Sequence, residues 1–72
     1  MVRYKNINGD SNVEAYNIGD TFIEVKFKGT AKIYRYSYSK AGSANVERMK
    51  QLAVAGDGLN SFINHNVKYK YD

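Results

Sequence analysis

Thr21–Ser39 reads T-F-I-E-V-K-F-K-G-T-A-K-I-Y-R-Y-S-Y-S, and the way its two halves alternate decides the fold. In the first half, Ile23, Val25 and Phe27 fall on one side of an extended chain, with Glu24, Lys26, Lys28 and Phe22 on the other. That period of two marks a strand with one buried face. Lys28-Gly29-Thr30 supplies a tight connection, since glycine takes a positive φ without strain. The second half, Ala31–Tyr38, returns beside the first and places Tyr34, Tyr36 and Tyr38 on one face, with Arg35 on the other.

Upstream, Val13–Ile18 (V-E-A-Y-N-I) mixes β-formers with polar residues and stops at Gly19-Asp20, which makes it the first strand of an antiparallel meander of three. Residues 1–10 read as an N-terminal extension before a single domain spanning 11–72. Asn8–Asn12 is a cluster of turn formers, while Val2, Tyr4 and Ile7 are available to pack at an edge.

Downstream the period changes. Val46, Met49, Leu52 and Ala53 recur at helical spacing, with Glu47, Arg48 and Gln51 opposite them. Ser43 is the expected N-cap and Gly56 the expected C-terminal residue. Asp57 is placed to cap a second, shorter helix with Leu59, Phe62 and Ile63 on one stripe. The closing V-K-Y-K-Y-D fits either a short strand or an extended tail. Strands first and helices afterwards define an α+β class: a three-stranded antiparallel meander, then two helices packed on one face. The expected core sets Ile23, Val25 and Phe27 against Val46, Met49, Leu52, Phe62 and Ile63.

Composition narrows the function classes. Seventy-two residues form one domain near the lower limit for a self-sufficient core. There is no cysteine, hence no disulfide or thiolate metal site, and the lone His65 has no acidic companions in sequence. Neither a metal nor a cofactor is expected. No apolar run approaches the ~20 residues of a membrane span, and the N-terminus lacks the apolar core of a secretory signal. The reading is a soluble cytoplasmic protein without a membrane partner. The net charge of +4 is uneven: residues 1–20 carry −1, residues 21–40 carry +4 and residues 41–72 carry +1. A basic middle third either attracts an anionic partner or keeps a small protein soluble.

In their order, these signals resemble the KTSC domain, found at the C-terminus of some lysyl-tRNA synthetases and as small stand-alone bacterial and phage proteins. The matching pieces are Ser11-Asn12-Val13, I-E-V-K-F at Ile23–Phe27, and Y-R-Y at Tyr34–Tyr36. A G-x-x-x-F-I-N segment (Gly58, Phe62, Ile63, Asn64) and a tyrosine-rich end follow, so the likeness spans about residues 11–71. The chain departs from the family in using Ser37–Gly42 where a short proline-containing link is common, and in carrying Asn8–Ser11 ahead of the match. The family's function is unknown. The synthetase association implies nucleic-acid binding, RNA in particular.

Two readings of the central strand make opposite burial claims. As a stacking platform, Tyr34 and Tyr36 take unpaired bases beside a basic rim; as core residues, they bury their rings and leave Arg35 and the lysines on the exposed face. Arg35 suits a bidentate phosphate contact or a cross-strand pair with Glu24. Lys26, Lys28 and Lys32 add field rather than specificity. Gly56-Asp57-Gly58 marks a helix boundary, since its acid would repel a phosphate, and Asn64 and His65 belong to a helix end. The serines have one histidine among them and no orienting acid, and no carboxylate pair has general acid–base spacing, so no enzyme is expected. The expected function is a small non-enzymatic binding module for RNA or other nucleic acid, with Arg35, Lys26, Lys28, Lys32, Tyr34 and Tyr36 as binding residues. The alternative is a protein-interaction module, self-associating or binding a partner through a sheet edge or through Phe22 and the C-terminal tyrosines.

Overall fold

The alternating segment forms the strand β3 (Phe22–Phe27) in a computed structural model that describes residues 1–72. It is flanked by β2 (Val13–Ile18) and β4 (Ile33–Ser37), both antiparallel to it. The turn from β2 to β3 is closed by the Gly19 N–H donating to the Phe22 carbonyl at 2.9 Å. A Cβ on residue 19 would lie 2.2 Å from the Phe22 ring, so glycine lets that ring lie over the turn. Ile23 and Val25 are fully buried, and Phe27 is half-buried against the same cluster.

The sheet has four strands, not three, in the order β1-β2-β3-β4, where β1 is Val2–Arg3. Its polar flank hides this strand from a sequence reading, but side-chain bonds turn that flank into a closed loop. Asn6 Oδ1 accepts from the Ser11 N–H at 3.0 Å, and Ser11 Oγ accepts from the Val13 N–H at 3.1 Å. The returning chain then pairs with β2, and the Tyr4 N–H donates to the Glu14 carbonyl at 3.0 Å. Tyr4 is buried, and its hydroxyl accepts from the Leu59 N–H at 3.3 Å. The first ten residues thus supply both an edge strand and a core ring.

The helices follow as α1 (Tyr38–Ala41), α2 (Ser43–Ala55) and α3 (Leu59–Phe62), the last continuing as a π-helical segment, Ile63–Val67. Ser43 does not cap α2. The cap position falls on Gly42 at φ 93°, a conformation that joins α1 to α2 without a loop. Nor does Asp57 cap α3: Gly58 precedes that helix, and Asp57 Oδ1 accepts from Asn8 Nδ2 at 2.9 Å. Gly56 ends α2 as expected, at φ 76°, with its N–H returned to the Leu52 carbonyl at 2.9 Å.

The helices cover one face of the sheet. Val46, Met49 and Ala53 of α2, with Leu59, Ile63 and Val67, bury themselves against Ile23, Val25 and Tyr36. Leu52 and Phe62, expected in this core, are half-buried at its margin. Each fully buried large apolar side chain contributes about 1.5–3 kcal/mol, which offsets the ordering of a short chain. The C-terminal stretch adds no strand. It runs as a tail along the free edge of β4, where the Asp72 N–H donates to the Arg35 carbonyl at 2.8 Å and Ser37 Oγ donates to Asp72 Oδ1 at 2.7 Å. An otherwise open edge is thereby occupied. No helix is long and apolar enough to cross a membrane.

Candidate nucleic-acid interface

Strand register builds the outer sheet face row by row. Arg3, Ala15, Lys26 and Ile33 lie side by side, then Asn17, Glu24 and Arg35, then Phe22 and Ser37. A register shift between Val13 and Ala15 inserts Glu14 as an extra residue, and Lys26 Nζ meets its carboxylate at 2.9 Å. Arg35 donates from Nε and Nη2 to Glu24 Oε2 at 3.2 and 2.9 Å, while its guanidinium lies 4.4 Å from the centre of the Phe22 ring. That guanidinium, with Asn17 donating to the other carboxylate oxygen at 3.3 Å, holds Glu24 below the usual glutamate range against a smaller opposing effect of burial. Of the two expectations for Arg35, the structure shows the cross-strand pair with Glu24. The Arg35 side chain is still half exposed.

The face is more strongly positive at its β1 end. A recess of about 640 Å³ opens there between β1 and the start of β2, with Arg3, Lys5 and Lys28 around Tyr4, Val13 and Glu14. The chain's ion pairs join Lys26 to Glu14, Arg35 to Glu24 and Lys50 to Glu47, so Arg3, Lys5 and Lys28 have no carboxylate partner. Glu14, the acid at this recess, is already engaged by Lys26. An anion entering the recess meets three uncommitted cations and one neutralised carboxylate. Such a site attracts phosphate by field and by charge-assisted hydrogen bonds.

The structure divides the six residues expected to bind nucleic acid. Lys26, Lys28 and Arg35 share the outer face. Tyr36 is 1% exposed on the inner face, where burial pushes its phenol up to about 12, so it presents no ring to a ligand. Tyr34 is half-buried at the inner margin, edge-on to Phe27 at 5.6 Å and to Tyr71 at 4.8 Å, and Lys32 lies 5.1 Å from its ring centre. Core packing has taken Tyr36 from the proposed stacking platform, and the sheet itself separates the Lys32–Tyr34 pair from the outer cations. Sequence reading passed over Arg3 and Lys5. Their signal was the alternation Val2/Tyr4 against Arg3/Lys5, too short to stand out beside the turn-rich residues that follow.

Elsewhere, Asn64 and His65 are exposed on the π-helical segment. No group of three or more His, Cys, Asp or Glu side chains is placed to hold a metal ion. Tyr38 Oη donates to Glu47 at 2.5 Å and Lys50 pairs with the same carboxylate at 2.8 Å, which ties α1 to α2. No protein-family model matches the chain, and no curated protein or solved structure matches it.

Proposed function

We propose that this chain is a small non-enzymatic module that binds nucleic acid, single-stranded RNA foremost, through phosphates held on its outer sheet face, and that it acts in the cytoplasm. The observation that carries the reading is the grouping of Arg3, Lys5 and Lys28 around one recess with no carboxylate partner of their own. Lys26 and Arg35 extend the same surface along the strands. The KTSC-like order of motifs supports the same reading, since that family's synthetase association points to RNA. The test is a fluorescence-anisotropy titration of a labelled single-stranded RNA at low salt. Lys28→Ala and Arg3→Ala should each weaken binding, with circular dichroism unchanged; a wild-type protein that does not bind at low salt refutes the proposal.

The second reading, association with a protein or another copy of the chain, draws on the opposite edge. β1 is only two residues long, its outer side is unpaired, and Met1 and Val2 are exposed beside it. The β4 edge is less suited, because the tail already lies along it. Light scattering over a hundredfold concentration range decides the self-association version: a constant monomer mass removes it.

A further inference from the structure

A second cleft lies between the Tyr34 margin of the sheet, the helical segment after Gly58 and the tail, with Asn12 and Phe27 next in the chain to Val13 and Lys28 of the first recess. It encloses about 330 Å³, near the lower end of the range for small-molecule sites. Its lining is largely aromatic: Tyr34 meets Phe27 and Tyr71 edge-on, and Lys68 lies 5.5 Å from the centre of the Tyr69 ring. Tyr69 stands at the rim, 78% exposed, the most exposed large hydrophobic side chain in the protein.

The polar lining is as selective as the aromatic one. The chain has eight asparagines. The carboxamides of Asn6, Asn8, Asn17, Asn45 and Asn66 are each hydrogen-bonded within the chain. The other three, Asn12, Asn60 and Asn64, make no such bond, and all three line this cleft. Each offers a paired donor and acceptor. Asn64 is carried by the π-helical segment, a local geometry found frequently at functional sites. The lining contains no carboxylate, and it includes Lys68; Lys32 sits above the ring of Tyr34 from the neighbouring loop.

We infer that this cleft binds a single unstacked nucleobase, with the attached phosphate held by Lys32 and Lys68. Every base has a π-face for the tyrosines and a donor–acceptor edge for the carboxamides, and its phosphate is complementary to a rim of cations without acids. The inference goes beyond the phosphate-binding sheet face and uses different residues, so the two stand or fall separately. A free nucleotide and a strand whose backbone lies elsewhere on the protein present the same base chemistry to the cleft, and the probes below separate the two sources.

The test is an amide and side-chain NMR titration of the intact chain with three probes: adenosine and uridine monophosphates, ribose 5-phosphate, and a short single-stranded RNA. The expected result is a saturable shift of the Asn12, Asn60 and Asn64 carboxamides and of the Tyr69 and Tyr71 rings, with ribose 5-phosphate leaving them unmoved. A response to the mononucleotides assigns the source as free nucleotide, and a response to the oligonucleotide alone assigns it as a strand; either supports the inference. Tyr69→Ala and Asn64→Ala alter exposed side chains and should weaken binding, the tyrosine variant by at least about fivefold. Base-containing probes that leave the cleft resonances unmoved overturn the inference, and so does ribose 5-phosphate shifting them equally. RNA binding that survives Tyr69→Ala and Asn64→Ala but is lost in Lys28→Ala, with the mononucleotides also leaving the cleft unmoved, refutes the cleft and keeps the sheet face; nucleotide shifts in the cleft of a chain whose RNA binding ignores Arg3→Ala and Lys28→Ala refute the sheet face and keep the cleft.

Discussion

Tyr36→Ala and Arg35→Ala alter neighbours on one strand, and the structure predicts very different consequences. Tyr36 is 1% exposed and packs among Ile23 and the helix residues. Its truncation removes a fully buried ring, a change that costs about 3–5 kcal/mol in a core. A 72-residue domain has about 4–11 kcal/mol of stability in total, so this one substitution consumes a large part of it. Arg35 points the other way, and its pair with Glu24 is half open to water. Pairs of that kind contribute between nothing and about 1 kcal/mol. At about 4–8 °C per kcal/mol for a domain of this size, Tyr36→Ala should lower Tm by more than about 12 °C or abolish the transition, and Arg35→Ala by less than about 8 °C. Thermal unfolding followed by circular dichroism at one pH and salt concentration measures both. A Tyr36→Ala protein as stable as Arg35→Ala refutes the assignment of faces, because a ring that can be removed at no cost was not in the core.

Other consequences are as direct. Tyr4→Phe leaves the buried Leu59 N–H without its acceptor and should cost about 1–3 kcal/mol in urea denaturation; an unchanged midpoint would show that the N-terminal segment is not docked. Gly29 and Gly56 both have positive φ, but a Cβ meets nothing at Gly29, whereas at Gly56 it lies 2.5 Å from the Lys5 Cβ. Alanine at Gly29 should cost about 1–3 kcal/mol for the backbone alone, and alanine at Gly56 should cost more; equal losses would contradict the close approach. Glu24 titrates below its ordinary value in the folded chain, so its stabilising share is present above about pH 4.3 and is lost as pH falls through its lowered value. The stability gap between wild type and Arg35→Ala should therefore be open at neutral pH and close in acid, as paired denaturation curves at several pH values would record. A gap that widened in acid would have the wrong sign.

Much of the fold was legible because β3 and β4 carry their burial in period-two alternation, and α2 carries its own in Val46, Met49 and Ala53, whereas in β2 the extra residue Glu14 spaces the buried Val13 and Tyr16 three apart. β1 was not, since two residues give no period, and what folds them back is a set of asparagine and serine side-chain bonds with no apolar signature. The misplaced caps have a similar origin. Ser43 and Asp57 are good capping types, but glycines beside them take the backbone conformations that the junctions need. For the candidate site, residue type identified Lys26, Lys28, Lys32 and Arg35, and the register sorted them. Tyr34 and Tyr36 look equivalent in Y-R-Y, yet Tyr36 belongs to the core and Tyr34 to its margin; Tyr71 of the tail packs edge-on against both rings, and Lys32 lies over Tyr34 alone. The recess at Arg3, Lys5 and Lys28 joins residues more than twenty positions apart, a proximity that only the β1–β2–β3 pairing creates.

The salt dependence of RNA binding tests the central claim most directly. If three or four phosphates are held by Arg3, Lys5, Lys28 and their neighbours, single-strand affinity should fall with a log–log slope of about −2 to −3, or roughly 20–50-fold between 50 and 200 mM salt. Lys28→Ala should make that slope shallower by about 0.7. Binding whose strength does not change with salt, or no binding at 50 mM, would contradict the phosphate-holding sheet face.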